Sequence, residues 1–559
     1  MSGFVGILGG SESAHELASF GAEPTWHDGT VAFASAPYWT DSTGTVVASG
    51  EVILDNAEEL RRKLESPGSE DGQLLAELYL RYGENTGRHA LGMFSVAICD
   101  SRANQLVLLR DGVGARTMYY ATDGRRWWFG SRLRAVRALA RVPKDISLTA
   151  LRNYLTFAFV PGSETMWQSI SELRPGVALR IPSGELRPYW EPEERVPYPL
   201  DSIDGHALRL RPLLEESVRV RLPNSGPVGI YLSGGLDSSL VTALAARDAP
   251  GPIHTYAINF GSKYPNELPF SQMVAEHCGT HHHVLTVTEK QIQEAFWETT
   301  GELDDPIGDP LTVPNCLLGK IASQDTQIIL NGEGGDPCFG GPKNLPMLLN
   351  ELYGPEGGQS AAYLRSYQKC FDDLPRLLNG DIRSALEQLP PQEEILAPFL
   401  TNRQMPQYLN RLIHINVRLK GADHILTKVS NLTSANGLIG RSPLFDRRIV
   451  EAGFQIPPVH KLAGTTEKAV LKRAVADLLP EPILTRPKSG MLVPVQAWFK
   501  HGLRRFARQT LLDRKARVRP YIDQGVVKEW LQYRGNLWPR HGVKIWLVLA
   551  LEVWVRIHE

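Results

Sequence analysis

The sequence predicts a mixed α/β chain in two parts, a layered α/β sandwich followed by a parallel sheet, and three observations carry that reading. The first is Val228-Gly229-Ile230-Tyr231-Leu232, an apolar run that breaks at Ser233-Gly234-Gly235 and resumes as a helix-forming stretch from Leu240 to Ala246. That pattern reads as a buried strand, a glycine turn and a helix start. The second is the alternation of strand-like and helix-like segments beyond residue 205, the order that builds a parallel sheet. The third is the dominance of short strands before residue 195, with prolines between Pro192 and Pro199 marking the crossing. Two domains follow, residues 1–195 and residues 205–559.

The 559 residues carry a net charge of -1, which is ample length for several buried cores and gives no broad nucleic-acid footprint. Cys99, Cys278, Cys316, Cys338 and Cys370 lack CxxC spacing, so neither a zinc site nor a disulfide framework is expected and a reducing cytoplasm fits best. The start, Met1-Ser2-Gly3-Phe4, has no basic and apolar leader pattern, and no 18-residue apolar run occurs. A cytoplasmic protein, bound to neither membrane nor nucleic acid, is the expectation.

In the first part, Gly3 to Leu8, Val46 to Ile53, Gly92 to Ile98, Gln105 to Arg110 and Arg126 to Gly130 read as strands, while Asn56 to Leu64 and Gln73 to Tyr82 carry helical spacing. After the crossing, Leu208 to Arg221 is an amphipathic helix. Ile253 to Phe260, Val284 to Val287 and Gln327 to Leu330 are the next strands, Leu345 to about Pro406 is helical, and Ile545 to Ile557 is an apolar helix with Trp546 and Trp554.

At the central loop, Gly234 and Gly235 let the backbone approach a ligand, Ser238 and Ser239 can cap the helix, and its free N–H groups favour an anion. No Lys follows the glycines, which excludes the GxxxxGK[ST] phosphoryl-transfer loop. Ser233-Gly234-Gly235-Leu236-Asp237-Ser238-Ser239 instead resembles the pyrophosphate loop of ATP pyrophosphatases, which split ATP to AMP and pyrophosphate. Met1-Ser2-Gly3-Phe4-Val5-Gly6-Ile7 resembles the start of class II glutamine amidotransferases, with further matches at Gly50-Glu51, Asp71 and Arg110-Asp111-Gly112. Together these motifs resemble the asparagine synthetase superfamily nearly end to end. That resemblance implies an N-terminal Ntn-type α/β/β/α sandwich and a C-terminal adenine nucleotide alpha hydrolase-like domain.

Departures from the family pattern are concentrated in the glutamine pocket. Ser2 stands at the position of the nucleophilic cysteine, Ser49 replaces the oxyanion-hole Asn before Gly50, and no Arg lies between Ser19 and Glu51 to clamp a substrate carboxylate. Only Asp71 is retained. An N-terminal hydroxyl can act as a nucleophile, yet the three losses together point to a domain without glutaminase activity.

Asn331-Gly332-Glu333-Gly334-Gly335-Asp336 resembles the family's second glycine-rich loop. Ligands of such sheets gather beyond the strands' carboxyl ends, so Asp237 and Asp336 are the expected Mg²⁺ ligands. The resemblance places ATP on Leu232, Ser233, Gly234, Gly235, Asp237, Ser238, Ser239 and Gly332, with adenine near Ile258 in the Ala257 to Phe260 strand. Asp309, in Asp304-Asp305-Pro306-Ile307-Gly308-Asp309, reads equally as a site residue and as a capped turn. Lys468 and Lys488 are both candidates to face phosphates, and Lys488 is preferred, as the catalytic cation beside Glu333 as the candidate base. His281-His282-His283 lacks metal spacing in sequence and reads as surface packing.

Without glutamine hydrolysis the amine must come from elsewhere. The resemblance is nearest in character to β-lactam synthetases and lasso-peptide macrolactam cyclases, so an intramolecular amide-forming ligase of antibiotic or other natural-product biosynthesis is expected, acting on a small-molecule or peptide carboxylate with peptide-processing partner proteins. An intermolecular amide ligase, or an asparagine synthetase-like enzyme using ammonia, is the alternative. A catalytically inactive nucleotide-binding partner is the reading of a different class.

Overall fold

The computed structural model describes residues 3–10, 13–196, 201–341, 344–355, 358–464, 466–487, 492–533 and 540–559. It divides into one compact unit of Met1–Ala150, Pro161–Pro192 and Gly421–Thr427, and a second of Leu151–Val160, Glu193–Lys420 and Lys428–Glu559.

The first unit is built on two six-stranded antiparallel sheets. One runs, in spatial order, Ser171–Glu172, Tyr119–Thr122, Trp127–Gly130, Val5–Leu8, Val31–Ala34 and Pro24–His27. The other runs Glu185–Pro188, Val177–Ile181, Gln105–Arg110, Gly92–Asp100, Val46–Leu54 and Tyr38–Thr40. Two-residue alternation along the strands explains the layering. Leu106 and Leu108 point between the sheets toward Phe4, Phe33 and Phe129, whereas Val107 and Leu109 point outward to Leu74, Leu78 and Tyr79 of helix Asp71–Tyr82. Helix Leu133–Leu139 packs against Trp127–Gly130 of the first sheet. This is the α/β/β/α sandwich the sequence predicts. The flanking strands escape a sequence reading because they are short: Tyr38–Thr40 and Ser171–Glu172 are too brief to show a period.

The second unit holds a five-stranded parallel sheet: β1 (Val228–Tyr231), β2 (Ile253–Asn259), β3 (His281–Thr286), β4 (Ile328–Leu330) and β5 (Ile439–Arg441). Their spatial order is β3-β2-β1-β4-β5, with every neighbouring pair parallel. The chain runs outward one way through β2 and β3, then returns to extend the other edge with β4 and β5. A crevice therefore opens where the direction reverses, beyond the carboxyl ends of β1 and β4. Two differences from the sequence reading appear here. β3 begins at His281 rather than Val284, because the histidines pair in register with β2. β5 was unexpected, since three residues closing on a glycine and an arginine carry no pattern.

Helix α1 (Ile203–Arg219) starts where Ser202 accepts from the Gly205 N–H. Helix α2 (Leu236–Asp248) follows β1, and nearly every residue in it is buried, as befits a helix covered on all sides. Gly235 is its N-cap, with no side-chain capping bond, so Ser238 and Ser239 do not act as caps; they lie inside the first turn. Between residues 344 and 400 the described residues include short helices such as Asn344–Tyr353 and Gln359–Ser366. The final helix, His541–His558, is mostly apolar and buried along most of its length, with Lys544 paired to Asp373 and Arg556 to Glu552. Among the described residues no helix is long and apolar enough to cross a membrane.

Candidate active site

Two glycine-rich loops meet at the carboxyl ends of β1 and β4. A Cβ on Gly332 would lie 2.4 Å from the Ser238 nitrogen, and one on Gly335 would lie 2.2 Å from Asp237 Oδ1. Only glycine permits that approach. Gly234, at φ +76°, packs on the Ser271 backbone, where a Cβ would come within 2.5 Å. Between the loops Ser238 Oγ accepts from the Ser233 N–H at 3.2 Å and donates to the Gly235 carbonyl at 3.3 Å. Ser239 is fully buried behind it. The Ser238 hydroxyl thus shapes the turn, leaving the first-turn N–H groups of α2 as the anion-facing feature.

The charges at this junction are bridged by one ammonium. Lys468 Nζ lies 2.5 Å from Asp237 Oδ2 and 2.5 Å from Asp336 Oδ1, and its side chain is 2 % exposed. The structure therefore brings the two expected metal carboxylates together, around a cation supplied by the chain itself. Lys468 has φ +53°, a left-handed conformation that costs a non-glycine residue about 1 to 2 kcal/mol. Such strain persists where the surroundings over-determine it and is a frequent mark of functional positions. Of the two lysines singled out in the sequence, the less favoured one is this bridge; Lys488 and Ser2 lie outside the described residues.

Beside the loops a cavity is lined by Gly235, Leu236, Lys468, Lys472 and Arg486. Arg486 Nη1 donates to the Gly234 carbonyl at 3.0 Å, pairs with Glu267, and stacks 3.8 Å from the centre of the Phe270 ring. Lys472 is held below the usual lysine range, by burial first and then by Lys468, against the pull of Glu467. Lys472 and Arg486 present cations to this cavity beside a helix N-terminus, an arrangement that suits an anion, while Glu467 shares the lining and Lys468 is already neutralised by Asp237 and Asp336. Lys472 and Arg486 escaped the sequence reading. The available signal for Arg486 was its place in Arg486-Pro487-Lys488, and for Lys472 its position one helical turn beyond Lys468.

A second polar centre lies on Glu333. Its N–H donates to Asn331 Oδ1 at 3.0 Å, which fixes the turn. Lys428, buried at the start of helix Thr427–Ala435, donates to Asp309 Oδ2 at 2.6 Å. Burial pulls its ammonium down, but the charges of Asp309 and Glu333 and the Asp309 hydrogen bond raise it above the ordinary lysine value. Asp309 is thus more than a capped turn: it anchors a cation that also feels Glu333. Asn431, one helical turn on, donates to Asp304 Oδ2 at 2.7 Å and accepts from the Asp304 N–H at 3.0 Å.

Where adenine is expected, Leu232 is buried and its N–H donates to the Tyr256 carbonyl at 2.8 Å. Ile258 is buried on β2, pairing with Leu285 of β3. Both belong to the buried core of the central strands.

The first unit's pocket residues are engaged in local structure. Ser49 is buried, with Oγ donating to the Pro37 carbonyl at 2.9 Å. Asp71 accepts from the Leu54 N–H at 2.7 Å and from Arg61 at 3.4 Å, tying helix Asp71–Tyr82 to strand Val46–Leu54. Near the start of the chain the Phe4 N–H donates to Ser131 Oγ, which donates to Glu51 at 2.6 Å, and Glu51 pairs with Arg116 at 3.2 Å. Arg110, fully buried, pairs with Glu172 at 2.7 Å, and Asp111 accepts the N–H groups of Gly114, Ala115 and Arg116. The Arg110-Asp111-Gly112 motif is thus a loop-closing device.

A parallel sheet with nucleotide-type loops, joined to an amidotransferase-like sandwich, defines a class of ATP-dependent ligases. The asparagine synthase family profile matches residues 209–556, and the glutamine amidotransferase domain profile matches residues 31–190. The chain belongs to the asparagine synthase family, and is an ATP-dependent carbon–nitrogen ligase forming AMP and pyrophosphate. Among similar proteins is asparagine synthetase [glutamine-hydrolyzing] 1 of Bacillus subtilis (strain 168), 24 % identical over 93 % of this chain and 86 % of that one. A putative asparagine synthetase of Mycobacterium tuberculosis (strain ATCC 25618 / H37Rv) is 26 % identical over 87 % of this chain and 79 % of its own. The asparagine synthetase of Zea mays is 26 % identical over 89 % and 74 % respectively.

Proposed function

We propose that this ligase closes an amide between a carboxylate and an amine of the same molecule, as a lactam or macrolactam cyclase that does not hydrolyse glutamine. The observation that supports the absence of glutamine hydrolysis is the altered glutamine pocket: Ser2 at the nucleophile position, Ser49 turned to the Pro37 carbonyl, and no Arg between Ser19 and Glu51, with only Asp71 retained. In the first step a carboxylate oxygen attacks the α-phosphorus of ATP and pyrophosphate leaves. In the second the amine attacks the acyl carbon, AMP leaves, and one proton is released.

The chain's own residues divide these tasks. Lys472 and Arg486 face the departing pyrophosphate beside the α2 N-terminus, and Asp237 and Asp336 suit Mg²⁺, which takes one or two carboxylates together with phosphate oxygens. That set fits the ion because both carboxylates already share one cation across a gap that only glycine leaves open. Glu333 serves as the base that takes the amine's proton, an assistance typically worth about 10²- to 10⁴-fold, its turn fixed by Asn331 and its charge felt by the Lys428 ammonium.

The test is to incubate the purified protein with Mg-ATP and glutamine, and separately with candidate linear substrates encoded or made alongside it. No glutamate should form, Ser2→Ala should keep full synthesis, and the product should be the substrate less one water. Relatives named glutamine-hydrolyzing asparagine synthetases favour a second reading, amide formation with ammonia. Ser2-dependent release of glutamate would establish that reading and refute the first.

A further inference from the structure

At the amino ends of the parallel strands, opposite the nucleotide crevice, the fold brings together residues far apart in sequence. His254 is the second residue of β2 and His283 the third of β3, and the parallel register puts both on one face of the sheet. Their ring nitrogens, His254 Nδ1 and His283 Nε2, are 3.1 Å apart. Asp325, three residues before β4, places Oδ2 3.9 Å from each of them. His282, on the opposite face, bonds instead to Thr255 and Ser271.

We infer that His254, His283 and Asp325 form a site for a divalent transition ion of the zinc type. Two imidazoles and a carboxylate are a donor set such ions favour, with water completing a tetrahedron. Donors about 2.1 Å from a tetrahedral ion are about 3.4 Å apart. The observed separations bracket that value, so a movement of about half an ångström by the Asp325 oxygen completes the set. The surroundings fix the ligands as metal sites require: the Tyr256 hydroxyl donates to Asp325 Oδ2 at 2.9 Å, and its ring stacks on His283 with centroids 5.0 Å apart. The three side chains are 19 %, 38 % and 30 % exposed, which leaves a path for the ion and a position for water. Binding would clip β2 and β3 to the entry of β4, the strand that leads into the Glu333 loop.

The full chain, stripped with a chelator, is titrated with zinc alone by calorimetry and with cobalt(II) by absorption. One ion per chain should bind, with cobalt giving the intense bands of a four-coordinate site. His254→Ala and His283→Ala should each weaken uptake about tenfold or more, Tyr256→Phe about tenfold, and His281→Ala not at all. Asp325→Asn, the conservative change, should lose affinity while keeping the wild-type circular dichroism, which covers the case in which an alanine variant fails to fold. Absence of stoichiometric binding, or binding unchanged by the His254, His283 and Asp325 substitutions, would reduce the cluster to a hydrogen-bonded surface feature and overturn the inference.

Discussion

Replacing Lys461 by methionine should stabilise the protein at neutral pH and lose that advantage as the solution becomes alkaline. Lys461 has no exposed surface, and its Nζ donates to Asn410 Oδ1 at 2.6 Å. Burial lowers its ammonium from 10.5 to about 7, against the opposing pull of Glu194 and Cys338. The unfolded chain therefore binds a proton there that the folded chain gives up between those two values. Stability must rise with pH across that window, and the cost is fully present below pH 7. At about 1.4 kcal/mol per pH unit, the span corresponds to about 5 kcal/mol. Methionine has similar volume and no charge to desolvate, but leaves the Asn410 oxygen without its donor, a loss of about 1 to 3 kcal/mol. The net gain at pH 6 is then about 2 to 4 kcal/mol, falling by about 1.4 kcal/mol per unit above pH 7 and changing sign before pH 10. Urea unfolding of both proteins from pH 6 to pH 10 measures it, and groups that do not interact with Lys461 cancel in the difference. A difference independent of pH would show that Lys461 is not buried in its charged form at a cost, and the reasoning would fail.

Glu333→Gln should slow amide formation by about 10²-fold or more while ATP–pyrophosphate exchange continues; equal loss of both would make Glu333 a structural residue. Lys468→Met leaves Asp237 and Asp336 facing each other without their shared cation and should destabilise the ligand-free protein by about 3 to 5 kcal/mol. Added Mg²⁺ should restore more stability to that variant than to the wild type in thermal melts, and an equal response would remove the two carboxylates from the metal site. Asp336→Asn should weaken Mg-ATP use with little change in volume, read as a raised KM for ATP at fixed Mg²⁺; wild-type kinetics would count against its role.

What could be read from the sequence was local. The strand, Ser233-Gly234-Gly235 turn and helix lie within one short segment, and the second glycine loop sits just after its strand, so both were legible without a fold. Lys468 could be noticed but not ranked, because its bridging role depends on two loops more than 100 residues away in the chain. The His254–His283 pairing was hidden for the same reason: a tripeptide of histidines says nothing about which neighbour faces a strand from another segment until the register of β2 and β3 is known. Strand β5 shows the lower limit of such reading: β4 is equally short but wholly apolar, whereas Ile439-Gly440-Arg441 has one apolar side chain and no run to announce a strand.

The placement of β5 also sets a timetable for synthesis. β4 ends at Leu330 and β5 starts at Ile439, so the 108 residues from 331 to 438 must be made before β4 can gain its second neighbour. At about 5 to 20 residues per second that interval is roughly 5 to 20 seconds. Throughout it one edge of β4 offers unpaired backbone donors and acceptors to any other strand within reach. The sheet that holds the nucleotide loops is therefore most exposed to mispairing on the ribosome, and chains halted before residue 439 should aggregate where full-length chains do not.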